Sequence, residues 1–166
     1  MEKPKANNST NLDYSKKLIL AEYLVGTPAQ SRLQALIDEI EPQLDNPPEE
    51  NITIGYIGHE YNDIYGLSMV ATAMNGYDVP VQNISGKITV KNQDEQEIGS
   101  MAIALAVETL GVINPQQSRL FILTLPKTSI TDIALAKKVS EEQTPLIIYF
   151  TFVCEPLETK ATEGNS

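Results

Sequence analysis

Residues 52–79 read ITIGYIGHEYNDIYGLSMVATAMNGYDV, and the fold turns on how this stretch is divided. Ile52, Ile54 and Ile57 form a short apolar run ending at Gly58. Such a run reads as a buried strand. The residues that follow repeat at a helical spacing. Ile64, Leu67, Val70, Ala71 and Met74 fall on one face of a helix over 62–75. A strand followed by a helix is the first half of a crossover to a parallel neighbour.

Working outward, the same alternation recurs. On the N-terminal side, 13–25 reads as a helix stopped by Gly26. Thr27 and Pro28 then look like an N-cap and a first helical position. Leu33, Leu36, Ile37, Ile40 and Leu44 make one apolar stripe. Residues 45–50 form an acidic linker containing proline. On the C-terminal side, 77–82 and KITVK at 87–91 read as two strands, or as one strand with an irregular excursion. Residues 95–110 read as a helix that is apolar nearly all round. RLFILTL at 119–125 is a buried strand. Thr128 or Ser129 is placed to cap a helix carrying Ile130, Ile133, Ala134 and Val139. PLIIYFTFV at 145–153 is the last strand.

Strands alternating with helices predict an α/β fold. The expected form is a small doubly wound, mostly parallel, flavodoxin-like sheet behind an N-terminal helical segment. The expected organisation is a disordered tail at 1–12, helices and linker at 13–50, the α/β domain at 51–154, and a second tail at 155–166.

The chain has 166 residues, enough for one domain with a real core. Its formal net charge of −10 repels phosphates, which argues against nucleic acid and against an anionic membrane surface. The first eleven residues are polar and hold no apolar signal core, and no apolar run approaches the ~20 residues of a membrane helix. One cysteine, Cys154, permits no internal disulfide and fits a reducing, cytoplasmic setting. With His59 as the sole histidine, a cysteine/histidine zinc site lacks ligands.

In an open α/β sheet, ligands bind beyond the carboxyl ends of the strands. There the sequence places His59, Glu60 and Asp63 after one strand, and Lys127 and Thr128 after another. His59 beside two carboxylates suits acid/base work or binding; the plain alternative is an exposed loop histidine. Lys127, with the N–H groups of a helix starting at Thr128, suits an anion; the plain alternative is a solvated lysine. Cys154 needs a base beside it to be a nucleophile and otherwise reads as a small buried hydrophobe. Tyr56, Tyr61, Tyr65 and Tyr77 suit a pocket wall or simple packing. There is no phosphate-cradling glycine loop and no G-x-S-x-G elbow.

Two stretches together resemble the cobalamin-binding domain of MerR-type light- and cobalamin-responsive regulators. They are GLSMVATAMNGYDV at 66–79, after ITIGYIG, and LGVINPQQSRLFILTLPKTSITDIALAKKVSEEQTPLIIYF at 110–150. The resemblance implies a cofactor loop after the first strand and a helical cap formed by 13–44. It also shows what has been lost. Asp63 stands where the family has its cobalt-ligand histidine, and His59 lies four residues earlier. Ile122 replaces the family's small serine. Tyr149 and Phe150 replace the paired glycines that let the nucleotide tail pass. Cobalamin or haem binding is therefore not expected. The expected function is a non-catalytic regulatory, ligand-sensing or interaction module. It would meet a protein partner or a small molecule through His59, Glu60, Asp63, Lys127 and Thr128. A small enzyme using His59 with Asp63 or Glu60, and a subunit of a protein assembly, are the alternatives.

Overall fold

The computed structural model describes residues 17–157, and its architecture is mostly β. Among the described residues, seven strands form two sheets. β1 (Leu18–Leu20), β6 (Ser118–Leu125), β3 (Gly66–Asn75) and β2 (Ile52–Asn62) make a four-stranded sheet in that order. β5 (Glu97–Leu105), β4 (Val81–Lys91) and β7 (Ile147–Pro156) make a three-stranded one. β1 and β6 run parallel, and every other neighbouring pair is antiparallel. The doubly wound, mostly parallel, flavodoxin-like sheet is thus overturned, and the cobalamin-domain-like fold with it.

The correction begins at 66–75. This segment is a central strand, not a helix. Leu67, Met69, Ala71 and Ala73 point to one side and are fully buried. Ser68, Val70 and Met74, on the other side, are only partly covered. That is a period of two. The helical set of Leu67, Val70, Ala71 and Met74 fits the same letters at a period of 3.6, but β2 and β6 supply hydrogen-bonding neighbours on both edges, and tertiary pairing decides. The connection from β2 is a tight turn, not a loop into a helix. The Asn62 side-chain oxygen accepts from the N–H groups of Ile64 (2.7 Å) and Tyr65 (3.2 Å). Gly66 then takes φ +110°, with the Leu125 carbonyl 2.3 Å from where a Cβ would sit, so only glycine fits.

The apolar segment at 95–110 is corrected in the same way. Ile103 and Leu105 face inward while Ala102 and Ala104 face solvent along β5. Two small alanines on the open face made a strand look like a helix apolar all round. Within 13–25, Leu18–Leu20 is a strand and a short 3-10 turn follows at Glu22–Leu24. β4 is one strand with an irregularity between Gln82 and Ser85, so it joins both segments of the KITVK region.

The helices are α1 (Gln30–Ile40) and α2 (Ile133–Glu142). α1 buries Leu33 and Ile37 against β1 and has no side-chain cap from Thr27. α2 buries Ala136 and Val139 and lies against β2. Its cap is Asp132, which accepts from the Leu135 N–H at 3.0 Å, rather than Thr128 or Ser129. Buried residues of both sheets and both helices form one continuous core, from Leu18 to Leu146. No helix among the described residues is long and apolar enough to cross a membrane. The expected tail at 1–12 and residues 158–166 of the expected tail at 155–166 lie outside the described residues, while Glu155 and Pro156 of that second tail end β7.

Candidate functional site

The residues expected at a strand-end rim are split between core and surface. His59 is 8% exposed and sits under α2. Its Nε2 lies 2.9 Å from the Val139 carbonyl, which can only accept, so Nε2 carries the proton. Nδ1 is then the acceptor for the Tyr56 hydroxyl. Both ring nitrogens are committed, and the histidine ties β2 to the end of α2. His59→Ala is expected to cost about 1–3 kcal/mol, the usual range when a buried partner is left unpaired. Chemical denaturation would measure it. A loss below about 0.5 kcal/mol would show that these bonds do not hold α2 down.

Glu60 and Asp63 are exposed. Asp63 lies on the turn between β2 and β3, where Lys137 of α2 reaches its carboxylate at 3.6 Å. The same lysine lies 6.0 Å from the Tyr61 ring centre. Tyr61, Asp63, Lys137, Ser140 and Glu141 line a shallow depression of about 250 Å³. Burial, and then the nearby Asp63 carboxylate, raise the Tyr61 pKa. The depression is open and its one ion pair is solvated, which is worth little. Lys127 and Thr128 are exposed in a short 3-10 turn (Lys127–Ser129) after β6. Neither side chain hydrogen-bonds to His59, Glu60 or Asp63. Sequence reasoning found Asp63 but missed Lys137 and Ser140, because they come from α2 and nothing local links them to the turn.

Cys154 is half-buried in β7, and burial pushes its thiol pKa up. His59 has no free nitrogen to serve it as a base. Tyr149 and Phe150 plug no tunnel. They are successive residues of one strand and so point to opposite faces. Tyr149 is 46% exposed, and Phe150 packs against the core and stacks with Phe152 at 5.7 Å. The Tyr149 hydroxyl donates to both oxygens of Glu95 at 2.9 Å, and this bond raises its pKa. Lys91 Nζ completes the group, 3.6 Å from Glu95 and 5.1 Å from the Tyr149 ring centre.

The sheet edges differ more than the rim does. At β1, the Glu41 carboxylate accepts from the N–H groups of Lys17 (2.8 Å) and Leu18 (3.3 Å). At β2, the Tyr61 N–H donates to Ser140 Oγ at 2.9 Å, and Gln143 Nε2 reaches the His59 carbonyl at 3.5 Å. At β5, the N–H groups of Thr131 and Asp132 donate to the Ile98 carbonyl, and Gly99 bridges to Ile130. Each of these edges is stopped at some point by a side chain or loop. β7 is paired with β4 on one side only. β2 passes near it without sharing a backbone hydrogen bond. Among the described residues, no backbone hydrogen bond is made at the outer edge of β7 from Ile147 to Glu155, although β2 lies alongside part of the strand.

No family model matches the chain, and no curated protein matches it. A solved structure described as "X-ray structure of Northeast Structural Genomics Consortium target SoR45" aligns over 66% of this chain and 86% of its own, at 8% identity and a TM-score of 0.29. A likeness that slight carries no weight for fold or function.

Proposed function

We propose that this chain is a non-catalytic interaction module that joins a protein assembly by strand addition at the outer edge of β7. The observation that carries the reading is the contrast between edges. Three are stopped by hydrogen bonds from side chains or loops, and among the described residues β7 makes no such bond on its outer side. Natural proteins shield exposed edges with charge, proline, bulges or covering elements, because unpaired N–H and C=O groups template another strand. From Ile147 to Cys154, β7 has no charge and no proline. Val153 is 67% exposed, on the same face of the strand as the half-exposed Tyr149. An edge of this kind supplies affinity through main-chain bonds and specificity through alternate side chains.

The test is residue-resolved hydrogen exchange on dilute protein. Alternate amides of β7 should exchange at near loop rates, and those bonded to β4 should be protected. Uniform protection along β7 at high dilution would mean that the edge is already covered within the chain, and the proposal would fail.

A further inference from the structure

Resting on that reading, we infer that the strand added at β7 is β7 of a second copy of this chain, antiparallel, with the two-fold axis at Thr151. The sequence Ile148–Cys154 is IYFTFVC, nearly symmetric in size and polarity about its threonine. In an isologous interface the same patch meets itself, so a strand that pairs with its own reverse must match across its centre. About Thr151 it does. Phe150 comes opposite Phe152 of the second copy, Tyr149 opposite its Val153, and threonine opposite threonine. Aromatic, aromatic/β-branched and Thr–Thr pairs are the favourable cross-strand combinations.

Charge points the same way. Two copies of a chain with net charge −10 repel, and they meet most easily where neither carries charge. β7 offers eight consecutive uncharged residues, from Ile147 to Cys154. Glu155 lies beyond them, held by Gln82 at 2.7 Å and Asn83 at 2.9 Å. In this register it faces Ile147 of the second copy and not another carboxylate. The dimer joins two three-stranded sheets into one of six, with the outer face of Tyr149, Thr151 and Val153 continuous across the axis.

Two variants of the full chain test this. In a Cys154→Ala background, Thr151→Cys puts two thiols on the axis. Directly opposed residues in an antiparallel pair have Cα atoms about 4.5–5.5 Å apart, within the range a disulfide spans. Mild oxidation should give a covalent dimer, while Tyr149→Cys or Val153→Cys alone should not. Thr151→Glu is the second variant. Within one chain the new carboxylate faces Lys87, its partner on β4, so the monomer is not weakened. Across the axis two carboxylates oppose each other, and the dissociation constant should rise about tenfold or more. Sedimentation of the unaltered chain should show a dimer that dissociates on dilution. A dimer indifferent to Thr151→Glu, or not trapped by Thr151→Cys, overturns the inference. So does a chain that stays monomeric at all concentrations. Hydrogen exchange then separates the two ideas. A monomer with fast alternate β7 amides leaves the open-edge reading standing without the second copy. A monomer with β7 protected throughout removes both.

Discussion

Arg119→Met is expected to destabilise the protein by about 3–5 kcal/mol, although the arginine lies on β6, in the other sheet from β7. Arg119 is 1% exposed in the middle of the core. Its Nη1 donates to the Leu20 carbonyl at 2.9 Å, and Nε and Nη2 both donate to the Val112 carbonyl, at 3.1 and 3.0 Å. The guanidinium joins the end of β1 to the loop before β6. Gly111, at φ +94°, makes room for it, since a Cβ there would lie 2.7 Å from the guanidinium carbon. Glu22 stands 3.7 Å away but is half exposed, so that ion pair adds little. Methionine keeps most of the volume and removes the donors. The buried Leu20 carbonyl and the part-buried Val112 carbonyl are then left without these partners, at up to about 1–3 kcal/mol each. The urea midpoint should fall by roughly 2 M at an ordinary slope for this size. Arg119→Lys should recover only part of the loss, because an ammonium cannot present the same fork. A change under about 1 kcal/mol for Arg119→Met would show that water replaces the arginine there.

The prominence of Arg119 was not legible in the sequence, where it stood at the start of a strand like any other charged terminus. The contact with Leu20 is set by the parallel pairing of β1 with β6, and no local pattern announces that pairing. What was legible depended on the ambiguity of the letters. RLFILTL and PLIIYFTFV are rich in β-branched and aromatic residues and carry no helical spacing, so both read correctly as strands. The stripe of Leu33 and Ile37 has helical spacing and no competing alternation, and α1 formed there. Failure came where small residues satisfy both periods. Alanine at 71, 73, 102 and 104 fits either a helix or a pleated sheet, and burial alone separates the two. The strand-end rim followed from the wrong sheet. His59 was expected at the start of a helix over 62–75, which is the β2–β3 turn and β3, and it lies instead in the core against the end of α2. The open edge of β7 had a readable trace in its run of uncharged residues, but an edge exists only once strand order is known.

One pair of identical substitutions separates the two readings of the decisive stretch, and the expected difference is large. Met69 and Met74 both lie in β3. A helix over 62–75 puts Met74 inward with Leu67 and Val70, and turns Met69 away. The strand does the reverse. Met69 is 0% exposed and points into the core with Leu67 and Ala71, while Met74 lies on the partly covered face. Met69→Ala should therefore cost about 2–5 kcal/mol, the range for emptying a buried methionine site. Met74→Ala should cost distinctly less, because its site is partly open to water and can collapse. Ile64 adds an independent control. The helix makes it core, but it is 78% exposed on the turn, so Ile64→Ala should be near neutral. The side chain removed is the same in both changes, so any difference in cost reports its surroundings. If Met74→Ala proved the costlier of the two and Ile64→Ala also destabilised, the hairpin of β2 and β3 would be wrong. The sheet order that leaves β7 at an edge would then be wrong with it.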